Sequence, residues 1–178
     1  MLYLIDVATR SYSLMIQTAY FSGLSTSYIH RLIEHGPYWY FNANGIIYVY
    51  SNTVGANYTQ LTTLSYTLNM AGAVPAFSCS SDGIYLAIMA NYYYVNLYKL
   101  TGSSLTLITS KDSGVSAVSK NGYWATAPFG QNTMNIYKIT GNTVNLYQSM
   151  PSCTCNYYFD QYDRLYAVDS KTSKLYVS

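Results

Sequence analysis

The sequence is short of charge. Of its 178 residues only 9% are Asp, Glu, Lys or Arg, whereas an ordinary soluble domain has about 25%. The nine basic and seven acidic side chains are scattered, so no Lys/Arg cluster could follow a row of phosphates. Nucleic-acid binding by electrostatic attraction is therefore not expected, and the polar surface must consist of Ser, Thr, Asn, Gln and Tyr.

Long apolar runs are also missing. No stretch of eighteen apolar residues occurs, so no membrane-spanning helix is predicted. The start of the sequence, Met1 to Asp6, has no basic segment and reaches an acidic residue at once, which does not fit a secretory signal. We expect the protein to act where it is made, or to leave by another route such as assembly into a particle.

Residues that could hold a metal or a cofactor are few. His30 and His35 lie five residues apart without a further ligand at workable spacing, and Cys153-x-Cys155 lacks the spacing of a zinc knuckle. No Gly-x-Ser-x-Gly, phosphate-binding loop or dinucleotide fingerprint occurs. We therefore expect no metal, no cofactor and no enzymatic activity.

Two covalent modifications stay open at this stage. Three cysteines cannot all pair within one chain, so either Cys79 forms a disulfide with Cys153 or Cys155, or all three are thiols. Asn57-Tyr58-Thr59 is the one N-glycosylation triplet, and it matters only if the protein reaches a glycosylating compartment.

What the sequence does contain is a repeat. Asn96 to Gly102 (NLYKLTG) returns 39 residues later as Asn135 to Gly141 (NIYKITG), with only Leu/Ile exchanges. Asn-Gly or Asp-Gly turns recur at nearly the same spacing, and they are the strongest short-range hairpin signal because both residues accept positive φ. The turns are Asn44-Gly45, Asp82-Gly83, Asn121-Gly122 and, without the glycine, Asp163-Arg164.

Each repeat unit is predicted to form four short strands. In the clearest copy they cover about 76–80, 84–90, 93–100 and 105–109, with alternating apolar residues and many β-branched or aromatic side chains. The remaining aspartates lie at or near predicted turns, where Asp bonds its own backbone. The predicted units are 1–34, 35–72, 73–113, 114–150 and 151–178.

Four-stranded units of about 40 residues that repeat are typical of a β-propeller. The first and last units are incomplete, because Leu2 to Thr9 resembles Leu165 to Thr172 and the sequence thus begins on a second strand and stops on a third. We predict an all-β fold, a small β-propeller of five blades with incomplete first and last blades. The alternative is four blades plus an irregular N-terminal segment, with the N-terminal strand completing the last blade. In a third option, another copy of the chain completes an open edge.

Over nearly its whole length the chain resembles propellers of the WD40-like and YVTN-like kinds, in period, strand count and turn type. It has no Trp-Asp ending and no Gly-His opening, and Tyr94-Val95-Asn96 is the nearest stretch to the YVTN phrase. The resemblance therefore implies the architecture, and no functional residue is carried over from it.

Three aromatic clusters supply the candidate binding residues in this chain of 23 tyrosines. Consecutive rings point to both faces of a strand, so one face belongs to the core and the other lies between blades or at the surface. Tyr and Trp at a surface favour protein or sugar contacts, while packing between blades also needs large side chains. The candidate contacts are Tyr38, Trp39, Tyr40, Tyr92, Tyr93, Tyr94, Tyr157 and Tyr158.

Three functional hypotheses follow. The first is a non-enzymatic structural or attachment protein of a virus particle, which docks on other virion proteins or on a host surface receptor or glycan. Its basis is the charge-poor surface, which resembles that of virion proteins from viruses of hot acidic habitats, and unpaired blade edges would also permit a homo-oligomer. The second is a cytoplasmic WD40-like scaffold for protein interaction. The third is a carbohydrate-binding or glycoside-active propeller, since such a ring gathers loop carboxylates around one axis.

Overall fold

The computed structural model describes residues 2–6, 11–16, 29–35, 37–43, 46–51, 60–65, 77–90, 93–113, 115–128, 131–151, 155–169 and 174–177. In these ranges all regular secondary structure is β-strand, which confirms the predicted all-β fold. None of the described residues belongs to a helix that could cross a membrane.

The described strands form five antiparallel sheets, which we number along the chain. Sheet 1 consists of β1 (Leu2–Asp6) and β2 (Ser11–Ile16), and sheet 2 of β3 (Ile29–His35), β4 (Tyr38–Ala43), β5 (Ile46–Ser51) and β6 (Gln60–Ser65). Sheet 3 consists of β7 (Phe77–Cys79), β8 (Tyr85–Met89), β9 (Tyr94–Thr101) and β10 (Ser104–Asp112). Sheet 4 consists of β11 (Val115–Val118), β12 (Tyr123–Ala127), β13 (Thr133–Thr140) and β14 (Thr143–Pro151), and sheet 5 of β15 (Cys155–Phe159), β16 (Leu165–Asp169) and β17 (Lys174–Val177).

The repeated phrase occupies the third strand of sheets 3 and 4 and makes the same contacts in both. The Oδ1 atoms of Asn96 and Asn135 accept hydrogen bonds of 2.7 Å from the hydroxyls of Ser110 and Ser149 on the fourth strand. Each phrase ends in a tight turn whose glycine has positive φ, +59° and +62°. Only glycine accepts this conformation at little cost, which is why the phrase ends in Thr-Gly.

Sheets 2 to 5 stack face to face in chain order, and a hydrophobic cluster fills each gap. Tyr40, Ile47 and Val49 of sheet 2 pack on residues of sheet 3 that include Phe77 and Leu86. Leu97 of sheet 3 lies in a cluster with Val118 and Trp124 of sheet 4. The gap between sheets 4 and 5 is filled by Ala117, Ala125, Met134, Ile136, Tyr157, Phe159, Leu165 and Ala167. Both faces of sheets 3 and 4 are thus core, as expected of stacked propeller blades.

One strand pairs differently from the sequence prediction. The predicted unit boundary between residues 34 and 35 separates β3 from β4, but β3 pairs with β4 from Ile29↔Ala43 to His35↔Tyr38 and joins sheet 2. The spacing of apolar residues marks a strand and says nothing about its partner. Here a two-residue connection at 36–37 makes the hairpin with β4 the shorter loop to close.

Candidate protein-binding surface

Antiparallel pairing divides the connections of each sheet between two ends. In sheet 3 the connections of β7 to β8 and of β9 to β10 lie at one end, which we call the turn end. The connection of β8 to β9 lies at the opposite end, where the N–H groups of Ala90 and Ser113 donate to the carbonyls of Tyr94 and Tyr93 at 2.8 Å and 2.7 Å. Side chains at the two ends therefore belong to different surfaces.

The turn end is built by one motif that recurs in sheets 3, 4 and 5. The residue after the first strand uses its side-chain oxygen to accept a backbone N–H from the start of the second strand. Ser80 accepts from Tyr85 at 2.9 Å, and Ser119 accepts from Tyr123 at 3.0 Å. In sheet 5 this place is taken by Asp160, whose Oδ1 accepts from the N–H of Arg164 at 3.0 Å. A short polar side chain at this place gives the backbone donor a partner within the turn.

The replacement of serine by aspartate in sheet 5 brings a charge to the turn end. Asp160 Oδ2 accepts from Nε of Arg164 at 2.7 Å and from the hydroxyl of Tyr166 at 3.2 Å. Burial alone would raise the pKa of Asp160, but hydrogen bonds from Arg164 and Tyr162 and the Arg164 charge lower that pKa below its ordinary value. The aspartates at these turns thus act in turn structure, as predicted from the sequence.

The first aromatic cluster lies largely in the core. Trp39 and Tyr40 are 7% and 0% exposed, and Tyr38 is half-buried beside the cluster between sheets 2 and 3. The Tyr40 hydroxyl donates a hydrogen bond to the backbone carbonyl of Gly83 in the next sheet, and burial raises the Tyr40 pKa. Trp39 and Tyr40 are therefore packing residues in this chain. Strand alternation points them to opposite faces, but both faces of sheet 2 are covered at this point.

The second cluster is exposed at the end opposite the turns. Tyr93 and Tyr94 are 58% and 45% exposed, where β9 begins, and Tyr92 lies outside the described residues. The equivalent positions one repeat later, Asn132 and Thr133, are also exposed but carry smaller polar side chains without a ring. The fold therefore does not require an aromatic ring at these positions.

The third cluster is divided between core and surface. Tyr157 is buried against sheet 4, so it is a packing residue. Tyr158 points to the other face of sheet 5 and is 58% exposed. Its ring centroid lies 6.4 Å from that of its cross-strand neighbour Tyr166. Since Tyr158 is next to the turn end, the structure separates it from Tyr93 and Tyr94.

Sequence reasoning missed a second set of aromatic residues, which lie near the turn end. Lys138 Nζ lies 3.8 Å from the centroid of the Tyr123 ring and donates to the carbonyl of Asn121 at 2.8 Å. The Tyr123 ring meets the exposed Tyr147 edge-on at 5.5 Å. The repeat could have revealed this contact, because the equivalent Lys99 also lies over a tyrosine. Its Nζ is 6.0 Å from the centroid of the Tyr85 ring.

The structure describes only part of the candidate metal and thiol residues. No group of three or more His, Cys, Asp or Glu side chains that could hold a metal occurs in the part of the chain that the structure describes. Cys79 is buried between sheets 2 and 3. Cys153, Asn57 and the side chains of Cys155, His30 and His35 lie outside the described residues, so the disulfide and glycosylation hypotheses stay open.

No protein-family description matches the sequence, and no curated protein is detectably similar to it. Solved structures do match the fold. The β-propeller domain of Cps50 (Swd1) from Myceliophteria thermophila superposes with a TM-score of 0.57 at 10% identity, covering 82% of this chain and 51% of that one. A putative 6-phosphogluconolactonase from Bacteroides fragilis superposes with a TM-score of 0.50 at 17% identity, covering 68% of this chain and 38% of that one.

This chain thus spans about half of the first of these structures and less of the second. At such low identity the likeness concerns the fold alone. Together with the stacked antiparallel sheets, it confirms the predicted β-propeller fold. The predicted number of blades and the unit boundaries other than the one at 34/35 remain predictions.

Proposed function

We propose that this chain is a non-enzymatic β-propeller that docks on another protein through Tyr93 and Tyr94. The observation that carries the proposal is the contrast with Asn132 and Thr133, which occupy the same places in sheet 4. An exposed tyrosine leaves apolar surface in water, and the sibling repeat shows that the same strand start accepts small polar residues at these places. Exposed aromatic rings with little charge around them have the composition of a protein-binding surface.

Rigid backbone around the two tyrosines supports the proposal. The carbonyls of Tyr93 and Tyr94 both accept backbone hydrogen bonds, from Ser113 and Ala90, so the backbone that carries each ring is held in place. A preorganised ring loses less conformational entropy when a partner covers it. Each anchor of this kind is expected to contribute about tenfold or more to the dissociation constant.

The test exchanges the tyrosines for the residues of the sibling repeat. A double variant, Tyr93→Asn with Tyr94→Thr, is expected to keep the wild-type melting temperature and to lose the partner that co-purifies from the native source. A matched control, Asn132→Ala with Thr133→Ala, is expected to keep that partner. Equal recovery of the partner with all three proteins would contradict the proposal.

We further propose that this docking takes place in a virus particle, on other virion proteins or on a host surface. The support is composition, because a chain with 9% charged residues and a net charge of +2 has few groups whose charge could change with pH. Fractionation of the native source with mass spectrometry tests it. Stoichiometric recovery in extracellular particles is the expected result, whereas recovery only in the soluble cell fraction would favour the cytoplasmic scaffold.

The enzymatic alternative is tested separately. One similar structure is named a putative 6-phosphogluconolactonase, and a carbohydrate-active propeller was one of the hypotheses from sequence. Incubation of the protein with a panel of sugars, glycosides and sugar lactones is expected to give no turnover. If the protein hydrolyses one of these compounds and a substitution in this chain abolishes that hydrolysis, the non-enzymatic proposal is overturned.

A further inference from the structure

One of the described aspartates takes no part in the turns. The structure describes the side chains of four aspartates, and three of them, Asp82, Asp160 and Asp163, accept hydrogen bonds at the turn end. Asp112 ends β10 at the opposite end and is exposed. Among the described residues its carboxylate has neither a hydrogen bond nor an ion pair. Turn chemistry therefore does not account for this charge.

Asp112 lies beside the tyrosines of the proposed docking surface. It pairs across the strands with Tyr94, the first residue of β9. Cross-strand partners in an antiparallel sheet point to the same face, with Cβ atoms about 5 Å apart. The carboxylate of Asp112 and the ring of Tyr94 therefore belong to one patch. Tyr93, the preceding residue, adds a second exposed ring at the same end of the sheet.

The basic residue next to Asp112 does not neutralise it. Lys111 pairs with Val95, which lies in the cluster between sheets 3 and 4, so Lys111 points to the face opposite that of Asp112. There its Nζ lies 5.1 Å from the centroid of the Tyr137 ring of sheet 4. Among the described residues, the patch of Tyr94 and Asp112 thus keeps an uncompensated negative charge.

The sibling repeat has neither the ring nor the charge. The pair equivalent to Tyr94 and Asp112 is Thr133 and Pro151, at the same ends of β13 and β14. The same strand pairing therefore forms without tyrosine and aspartate at these places. Two residues further into the sheet, the hydrogen-bonded Asn/Ser pair is the same in both repeats. The two repeats thus differ in the patch itself and agree in the strands that carry it.

We infer that Tyr94 and Asp112 form a site for an arginine side chain of the partner protein, an inference that rests on the proposed docking through Tyr93 and Tyr94. The face of a tyrosine ring attracts a cation, and a carboxylate beside the ring adds a charge-assisted hydrogen bond. Arginine suits the site better than lysine, because its planar guanidinium stacks on a ring while its N–H groups donate to a carboxylate.

The chain itself contains this arrangement of groups. In sheet 5 the guanidinium carbon of Arg164 lies 5.9 Å from the centroid of the Tyr166 ring, and its Nε donates to Asp160 at 2.7 Å. One tyrosine ring and one carboxylate on neighbouring backbone therefore hold an arginine in this fold. Tyr94, which is 45% exposed, and Asp112 present the same two groups to solvent.

Titration of the isotope-labelled full chain with N-acetyl-arginine amide, followed by the amide resonances of Tyr94 and Asp112, tests the site directly. Exposed ring–cation and ion-pair contacts are weak, so we expect a dissociation constant of roughly tens of millimolar. N-acetyl-citrulline amide has the same shape without the charge and should bind about three- to thirtyfold more weakly. Equal binding of both compounds, or no saturable shift of these resonances up to about 200 mM, would overturn the inference.

Two substitutions assign the effect to Asp112. Asp112→Asn keeps the shape of the side chain and removes its charge, so it should weaken binding of the arginine amide by about two- to fivefold. Asp82→Asn is the matched control, because it makes the same charge change at the turn end and copies Asn121 of the sibling repeat. This control should bind like the wild type. Equal weakening by both substitutions is a general charge effect and would overturn the site.

Recovery of the native partner separates this inference from the proposed function. The expected result is reduced recovery with Asp112→Asn, and release of the partner from the wild type as salt rises from about 0.05 to 0.5 M. If Tyr93→Asn with Tyr94→Thr loses the partner while Asp112→Asn retains it fully at every salt concentration, the docking surface stands and the arginine anchor is overturned. If every variant retains the partner, the proposed function fails as well.

Discussion

Replacement of Trp124 by alanine tests the stacking of sheets 3 and 4 most directly. Trp124 is 0% exposed and lies in the cluster between the two sheets. Its indole N–H donates to the hydroxyl of Ser116 at 2.7 Å, and its ring lies 5.7 Å from that of Tyr137. The substitution therefore removes a large buried ring from the interface and leaves every turn of the two sheets intact.

The expected loss can be worked out in two ways. A buried aromatic side chain removes about 200 Å² from water, which at about 25 cal/mol per Å² corresponds to about 5 kcal/mol. Measured truncations of buried aromatic residues to alanine cost about 3–5 kcal/mol. In a chain of this length each kcal/mol lowers the melting temperature by about 2–4 °C, so we expect a fall of roughly 6–20 °C.

Urea unfolding followed by circular dichroism supplies the measurement, with Leu146→Ala as an exposed control that should change stability by less than about 0.5 kcal/mol. Ser116→Ala should cost about 1–3 kcal/mol, because it leaves the buried indole N–H of Trp124 without its acceptor. A loss below about 1 kcal/mol for Trp124→Ala would refute the stacking of these two sheets through this cluster.

The remaining predictions concern the turns and two titrating groups. Gly122→Ala should destabilise the fold more than Gly141→Ala. Both glycines have positive φ, so alanine costs about 1–2 kcal/mol at either position. Only at 122 would the added Cβ also meet a carbonyl oxygen, at 3.0 Å. Equal losses in urea would contradict this. Because burial raises the pKa of Tyr40, the unfolded chain releases that proton first and stability falls as pH rises above about 10, less steeply in Tyr40→Phe. The pKa of Asp160 is lowered, so its contribution is present above the ordinary carboxyl pKa of about 4 and is lost as pH falls below it. A urea-midpoint curve from about pH 3 to 6 should therefore be flatter for Asp160→Asn than for the wild type, and identical curves would count against it.

Local chemistry made much of the fold predictable. An Asp-Gly or Asn-Gly pair needs only its own backbone to form a turn, and Gly83 and Gly122 do have positive φ. The repeated phrase predicted equivalent strands, and Asn96 and Asn135 do bond to the same place on the next strand. These features depend on residues close in sequence, so a single sequence contains them.

The partner of a strand is less predictable. The sequence predicts short strands in each unit, but whether β3 stays with the first unit or pairs with β4 depends on which hairpin closes more easily. A period of 39 residues describes similarity between units and does not state where one sheet ends. Strand pairing therefore departed from the predicted unit boundary at this point.

The tertiary structure alone decided which tyrosines are surface and which are core. Tyr157 and Tyr158 are neighbours in sequence, with the same side chain and the same strand, yet one is buried and the other exposed. Strand alternation sends them to opposite faces, and only the stacking order of the sheets determines which face is covered. Tyr40 is likewise 0% exposed because it packs on sheet 3, which lies 37 or more residues further along the chain. The sequence determined the repeat, the turns and the strands, whereas the exposure of each ring depends on contacts between units far apart in the chain.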